Sequence, residues 1–374
     1  MPIQSSGAIS LDDIHQEVGG TANSNCSIND ADIRGLIDAS DGANTSFNDW
    51  YGASNVTPRG LFLGGNGGSD SNVDVIDYVT IASAGNATDF GNLSNGRART
   101  QKGEICSATR CLVAGGNGFE GGASNNANSD KEVDVVEYVE FSSTGNAVDF
   151  GNLSAHKEYM AGGSNATRGL TFGGYAGSEH INDNYNVIDY FTIASTGNAT
   201  DFGDTLAAVR QSCGTAGTTR ALVFSGNQPG DSNVIQYVTI SSTGNCTDFG
   251  DTRGSGRNAC AASSNTRAVM SAHDALYWDK GAATDTIPNN QESEYVTIAS
   301  AGNATDFGNL TIARNNRYST SNKIRALIGG GVSSFTNSVE YLTIASTGNG
   351  TDFGDLTVAR GDGSAGSSEH GGIA

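Results

Sequence analysis

Six aspartates in one recurring motif are the residues whose type and spacing could do chemistry. The motif, Gly-Asn-x-x-Asp-Phe-Gly, starts at Gly85, Gly145, Gly197, Gly244, Gly302 and Gly348. Carboxylates could bind calcium, but a calcium-binding loop supplies a denser run of oxygen ligands. Asn and Asp in a glycine-flanked hairpin more often satisfy backbone donors, and a neighbouring Phe can pack between repeats. The sequence therefore predicts structural roles for Asp89, Phe90, Asp149, Phe150, Asp201, Phe202, Asp248, Phe249, Asp306, Phe307, Asp352 and Phe353.

Other catalytic and metal-binding patterns are sparse. The five histidines occupy unrelated repeat positions, and there is no Gly-x-Ser-x-Gly elbow, phosphate-binding loop or His-Glu-x-x-His motif. Cys106 and Cys111 lack the second pair of a zinc site, and Cys213 and Cys260 are interpreted as small fillers of a strand. We predict a protein that is not an enzyme and has no metal or cofactor. Spacing alone does not exclude the paired carboxylates of a propeller glycosidase, which remains an alternative.

Twelve of the 20 basic residues fall at two repeat positions. One set precedes an apolar run: Arg59, Arg110, Arg168, Arg220, Arg267 and Arg325. The other follows each motif Phe by seven or eight residues: Arg97, Lys157, Arg210, Arg257, Arg314 and Arg360. A ring of like charge could bind an anion. The favoured interpretation is partly buried pairing with the motif aspartates of adjacent repeats.

The motif sets the organisation of the chain, because its copies are 60, 52, 47, 58 and 46 residues apart. Repeats of roughly 40–50 residues are typical of propeller blades. With 52 Gly and only 4 Pro, the composition favours short strands and tight turns. The sequence predicts four strands in each repeat. In the first repeat, no segment that could form the first of these strands precedes the apolar run. Because Gly361–Ala374 aligns with Arg210–Phe224, we predict that the C-terminal tail supplies the missing strand.

The order of segments resembles the kelch repeat. Gly-Gly follows the apolar strand at Gly64-Gly65, Gly115-Gly116, Gly173-Gly174 and Gly329-Gly330. A tyrosine marks the third strand at Tyr78, Tyr138, Tyr190, Tyr237, Tyr295 and Tyr341. Phe replaces the usual kelch Trp in the last strand, and the fourth and fifth repeats lack Gly-Gly. The resemblance implies a mainly β fold, a six-bladed kelch-like β-propeller over residues 53–374.

Residues 1–52 lack the repeat and have too few apolar residues for an independent core. A capped helix is predicted after Ser10 and a second one near Asn29. The stretches 6–11, 27–34 and 47–52 resemble a leader on tailed-bacteriophage virion proteins, which implies a short, partly helical virion-attachment segment. No secretory signal or membrane-length apolar run is visible, and the net charge of −20 disfavours nucleic acid as a partner.

The loops between the second and third strands of the repeats differ most, and in a propeller they all emerge on one face. Exposed aromatic residues on loops over a rigid scaffold are a usual means of gripping sugars or protein surfaces. The candidate binding residues are Phe119, Tyr175, His180, Tyr185, His273, Tyr277, Trp278 and Phe335.

These observations favour a bacteriophage virion structural protein, tail-fibre- or adhesin-like, made in the host cytoplasm and located in the virion. Its expected partners are other virion proteins, through residues 1–52, and a host-surface receptor, most simply a glycan; homo-oligomerisation on the particle is compatible with this interpretation. The alternatives are a decoration or cement protein of the capsid or tail without receptor binding, the glycosidase, and a cellular kelch scaffold.

Overall fold

The computed structural model describes residues 10–22, 25–28, 30, 31, 33, 58–68, 71–118, 131–177, 183–228, 230–271, 274–278, 289–332 and 334–373, with the backbone alone for 274–278 and 289. The chain divides into two compact units, Met1–Thr57 and Pro58–Ala374. From the sequence alone, this boundary is predicted after Gly52.

The first unit contains the predicted helix, which spans Leu11–Glu17. Ser10 and Asp13 form a capping box: the Ser10 hydroxyl accepts from the Asp13 amide at 3.1 Å, and the Asp13 carboxylate accepts from the Ser10 amide at 2.7 Å. Ile14 is buried against Ile33. The predicted second helix lies largely outside the described residues, and Phe47–Gly52 lies wholly outside them.

The second unit is mainly β and is built from six antiparallel sheets of similar design. The first strands are Ala161–Ser164, Cys213–Ala216, Cys260–Ser263, Tyr318–Ser321 and Ser364–Ser367. The second strands are Arg59–Asn66, Arg110–Ala114, Arg168–Phe172, Arg220–Asn227, Arg267–Ser271 and Arg325–Gly329. The third strands are Asn72–Thr80, Val135–Glu140, Val187–Thr192, Asp231–Thr239, Glu292–Thr297 and Ser338–Thr343. The fourth strands are Thr88–Asn92, Val148–Asn152, Thr200–Asp204, Thr247–Arg257, Thr305–Asn309 and Thr351–Asp355.

Neighbouring strands in each sheet follow one another in the sequence, except that repeats 1 and 2 differ from the others in their first strand. In repeat 1 the first strand comes from the C-terminus, because Ser364–Ser367 pairs with Gly60–Leu63. This is the pairing that the sequence predicts. In repeat 2 the corresponding segment is held to the second strand by a bridge between Cys106 and Cys111.

Short additional strands lie near the loops. They are Arg97–Ala98 with Asn117–Gly118 and Lys131–Glu132, Tyr175–Ala176 with Asp183–Asn184, and Asp274–Trp278, which pairs with the long fourth strand of repeat 4. A 3-10 turn spans Asn289–Gln291.

The apolar core consists of six clusters, and each combines side chains from consecutive repeats. Phe90 of repeat 1, for example, packs with Val139 and Phe141 of repeat 2. Phe353 of repeat 6 packs with Ile81 of repeat 1, so the series of contacts returns to its start. The motif Phe residues therefore pack between repeats, the role that the sequence predicts for them.

The Gly-Asn turn of each repeat also bonds to the fourth strand of the preceding repeat. Gly145 donates its N–H to the Phe90 carbonyl at 2.8 Å, and Asn146 accepts from the Asn92 amide at 3.1 Å. Across the ends of the series, Gly85 donates to the Phe353 carbonyl at 2.7 Å.

The arginines that begin the second strands form a third set of contacts between repeats. Each guanidinium lies 4.2–5.0 Å from the centre of the tyrosine ring on the third strand of its own repeat. Each also donates to a carbonyl of the following repeat, as Arg59 does to Phe141 at 2.9 Å. Arg325 of repeat 6 donates to Ile81 of repeat 1 at 3.1 Å.

The predicted pairing of the two basic sets with the motif aspartates is wrong. All six motif aspartates are exposed, and Asp306 pairs with Arg253, which belongs to neither set. Three of the six basic residues that follow the motif instead meet buried carboxylates on the third strand of the next repeat. These pairs are Arg97 with Glu137, Lys157 with Asp189 and Arg360 with Asp77. A buried cation needs a partner charge that is also buried, and the third-strand carboxylates meet this requirement whereas the exposed motif aspartates do not.

Candidate functional site

The variable loops share one end of the sheets with the segments that connect each repeat to the next. Single bridges join the two at Glu158 and Tyr175, at Arg210 and Asn227, at Asn315 and Val332, and at Asn66 and Gly361. We call this end of the sheets the loop end. It is where loop side chains and connecting-segment side chains can act together.

Six connecting-segment residues at the loop end form a closed ring of backbone hydrogen bonds. Each amide donates to the carbonyl of the equivalent residue in the neighbouring segment, over 2.5–3.2 Å, and the sixth links back to the first. All six have a left-handed backbone, with φ between 53° and 65°. We call this set the backbone ring: Arg99, Tyr159, Gln211, Asn258, Asn316 and Asp362.

The backbone ring is a position that the sequence analysis missed. Every member lies nine residues after its motif Phe, so the spacing was a readable signal. The side chains gave no signal, because they range from Arg to Tyr to Asp. A non-glycine residue at positive φ is strained and persists only where its surroundings hold it. Here the hydrogen bonds are made by the backbone, which leaves the side chains free to differ.

A charged and aromatic group occupies one side of the ring. The Arg99 guanidinium lies 5.3 Å from the centre of the Tyr159 ring and 3.4 Å from a Glu158 carboxylate oxygen, and its side chain is 43% exposed. Burial raises the pKa of Glu158 to about 7, and burial also raises the pKa of Tyr159. The Arg210 guanidinium lies 4.4 Å from the centre of the Tyr175 ring.

Lys102 contacts two further members of the backbone ring, Asn316 and Asp362. Its Nζ donates to Asn316 Oδ1 at 2.5 Å and lies 3.4 Å from Asp362 Oδ1. Its carbonyl accepts from the Gly162 and Gly214 amides, each at 2.9 Å. One residue of repeat 2 thus contacts the first strands of repeats 3 and 4 and the segments that lead out of repeats 5 and 6. The buried Lys102 side chain therefore links several repeats at the loop end.

Two ring side chains keep unused acceptors. Gln211 Oε1 and Asn258 Oδ1 are buried atoms without a hydrogen-bond partner among the described residues, and Asn258 as a whole is 7% exposed. Buried polar atoms are normally paired with protein or water. A water molecule held within the protein would satisfy these two acceptors.

Among the eight residues predicted from the sequence, the structure places three side chains at the loop end. Tyr175 lies beside Arg210, and the centre of the Tyr185 ring lies 5.5 Å from Lys157 Nζ. Phe335 is 39% exposed and packs close to Gly68 of the adjacent repeat. Tyr277 and Trp278 are described by their backbone, opposite Ser255 and Gly254. Phe119, His180 and His273 lie outside the described residues.

Within the part of the chain that the structure describes, no cluster of His, Cys, Asp and Glu could hold a metal ion. No helix among the described residues is long and apolar enough to span a membrane. Neither the family models nor the curated proteins that were compared with this chain match it.

Proposed function

We propose that the repeats form a six-bladed kelch-like β-propeller. The support is cyclic contact: the apolar clusters, the Gly-Asn turns, the arginines and the backbone ring each link every repeat to the next and repeat 6 to repeat 1. The pairing of Ser364–Ser367 with the second strand of repeat 1 joins the two ends of the region in one sheet. A closed ring leaves only short, protected sheet edges.

The proposed function is adhesion to a host surface by a bacteriophage virion protein. The observation that carries it is that the residues that hold the repeats together are different from the residues whose side chains vary at the loop end. The motif Gly, Asn and Phe residues and the arginines of the second strands are used in contacts between repeats, while the backbone ring and the loops carry dissimilar side chains at one end. Recognition residues are commonly carried on such variable positions over a rigid scaffold.

The chemistry of the loop end suits a glycan. Tyr159 and Tyr175 offer aromatic surface, and the partly exposed Arg99 offers donors. A sugar presents hydroxyl groups that both donate and accept, together with apolar C–H faces that stack on aromatic rings. The resemblance of residues 1–52 to a phage leader supports attachment of the chain to the virion through that segment.

Binding of the fluorescently labelled full chain to cells of candidate hosts tests this function. We expect saturable binding that purified cell-surface polysaccharide competes away. The pair of substitutions Arg99→Ala and Tyr175→Ala should weaken binding by roughly tenfold or more, the loss expected for two contacts at the centre of an interface. The control is Asp149→Ala, which removes an exposed motif carboxylate near the start of the fourth strand, away from the loop end, and should leave binding unchanged.

The outcomes separate the alternatives. Absence of binding to every host that supports infection would contradict adhesion and favour a decoration or cement protein. Release of new reducing sugar ends from the polysaccharide would favour the glycosidase. Incorporation of a chain lacking residues 1–52 into particles would contradict the attachment role of the leader.

A further inference from the structure

Cys106 and Cys111 face each other in repeat 2, at the bridge that joins the segment before the second strand to that strand. Their sulfur atoms are 2.9 Å apart, and both residues are fully buried. The flanking pairs carry the ladder hydrogen bonds: Ser107 donates to the Arg110 carbonyl at 2.8 Å, and Leu112 donates to the Ile105 carbonyl at 2.9 Å. The two cysteines are therefore a directly opposed, non-hydrogen-bonded pair.

This position suits a disulfide without movement of the strands. Opposed residues of a non-hydrogen-bonded pair have Cα atoms about 4.5 Å apart, and disulfides join Cα atoms separated by about 4.4–6.8 Å. The other buried cysteines differ in this respect. Cys213 and Cys260 lie on the first strands of two different sheets.

The C-terminal segment covers both sulfur atoms. Gly366, on the strand that pairs with repeat 1, lies so close that a Cβ atom there would collide with both of them. Ile373 packs against the cluster that contains the two cysteines. His370 anchors the same segment: its Nε2 lies 3.1 Å from the Cys106 carbonyl oxygen, and its Nδ1 accepts from the Gly372 amide at 3.1 Å.

We propose that Cys106 and Cys111 are a disulfide-forming site to which the C-terminal segment controls access. The oxidant is a small-molecule disulfide such as glutathione disulfide. One cysteine thiolate attacks it and releases one glutathione thiolate; the second cysteine then attacks the mixed disulfide and releases another. Two electrons pass from the cysteines to the oxidant, and the two cysteine protons end on the two glutathione thiols. This inference is independent of the proposed adhesion.

Control by the C-terminal segment follows from the state of the thiols. The thiolate is the reactive form, and burial raises the pKa of Cys106 well above its usual value. In the closed arrangement Cys106 is therefore held as the unreactive thiol, and both sulfur atoms are covered by Gly366. Local opening of the last strand admits both water and oxidant, so the rate of oxidation should follow the frequency of that opening.

Oxidation of the folded full chain by glutathione disulfide, followed by trypsin digestion without reduction, tests the proposal. Trypsin cuts after Arg110, so the disulfide joins the peptides 103–110 and 111–131. We expect this linked pair as the main product. His370→Ala, which removes the anchor of the C-terminal segment, should accelerate its formation by roughly tenfold. If that variant does not fold, low concentrations of urea applied to the native chain provide the same loosening.

Two substitutions are matched controls. Cys106→Ser should abolish the linked pair, and Cys213→Ser should leave both its yield and its rate unchanged. The proposal is overturned if the folded chain stays reduced, or yields only glutathione adducts, at every ratio of oxidised to reduced glutathione. Control by the C-terminal segment is overturned if all buried cysteines react together at the rate of global unfolding.

Discussion

At the scale of single residues, the Gly-Asn-x-x-Asp-Phe-Gly motif is a device for contact between repeats. The first Gly donates its amide, the Asn side chain accepts one, and the Phe fills the apolar cluster. The last Gly has a separate role. Its missing side chain allows the turn of the next repeat to approach, because a Cβ atom on Gly203 would collide with the Gly244 carbonyl.

The two glycines of one motif therefore predict opposite results on substitution. Gly203 has φ of 147° and no room for a Cβ atom, so Gly203→Ala should lower the free energy of unfolding by about 2 kcal/mol or more. Gly197 has open space around its Cβ position, so Gly197→Ala should change that free energy by no more than about 0.5 kcal/mol. Urea denaturation of both variants measures the difference. Equal stabilities would contradict the steric role of Gly203.

At the scale of elements, each third strand presents a buried polar side chain to the preceding repeat. The equivalent residues accept a backbone N–H four residues after the motif Phe: Asp77, Glu137, Asp189, Gln236, Glu294 and Glu340. Four of the carboxylates also pair with Arg or Lys. Glu294 has no such pair among the described residues, and burial raises its pKa to about 7.

Glu294 should therefore make the stability depend on pH. A raised pKa means that the folded state favours the protonated acid, so the contribution is complete below about pH 4.5 and is lost as the pH rises through 7. Glu294→Gln copies Gln236, which accepts from the Leu206 amide at 2.8 Å. We expect this variant to melt at a higher temperature than the native chain near pH 8 and at the same temperature near pH 4.

Glu340→Gln is the matched control for the effect of charge. Glu340 pairs with Arg317 at 3.1 Å, and both side chains are buried. Neutralising it leaves a buried guanidinium without its partner, so this variant should melt at a lower temperature at both pH values. A Glu294→Gln variant that is destabilised near pH 8 would show that the native carboxylate is charged and stabilised there.

The strands could be predicted from the sequence because their signals are local. The spacing of the motif, the tyrosines and the arginines before the apolar runs predicted four strands in each repeat, and alignment of the tail predicted the origin of the missing one. Five of the six sheets contain these four strands, and in repeat 2 the first strand is reduced to a single bridge. The partners of the basic residues could not be predicted. Both the exposed Asp201 and the buried Asp189 sit in strands, and only the packing of neighbouring sheets decides which of them meets Lys157. The backbone ring was hidden for a similar reason, since its contacts are made by the main chain.

At the scale of the whole repeat region, closure depends on the last residues of the chain. Ser364–Ser367 completes the sheet of repeat 1, and Asp362 completes the backbone ring by accepting from Arg99 and donating to Asn316. Phe62, which is fully buried, lies in the strand that pairs with the C-terminal strand. Loss of this segment would therefore expose a sheet edge and an apolar cluster together.

Three truncations test this dependence. Deletion of residues 361–374 removes both the strand and the ring contact, and we expect the cooperative thermal transition to be lost. Deletion of 368–374 keeps the strand but removes His370 and its bonds to Cys106 and Ser164, so the chain should fold with a lower melting temperature. Deletion of 1–57 removes the first unit alone and should leave the transition of the repeat region unchanged. An unchanged transition after deletion of 361–374 would show that the repeats do not need the C-terminal strand to close.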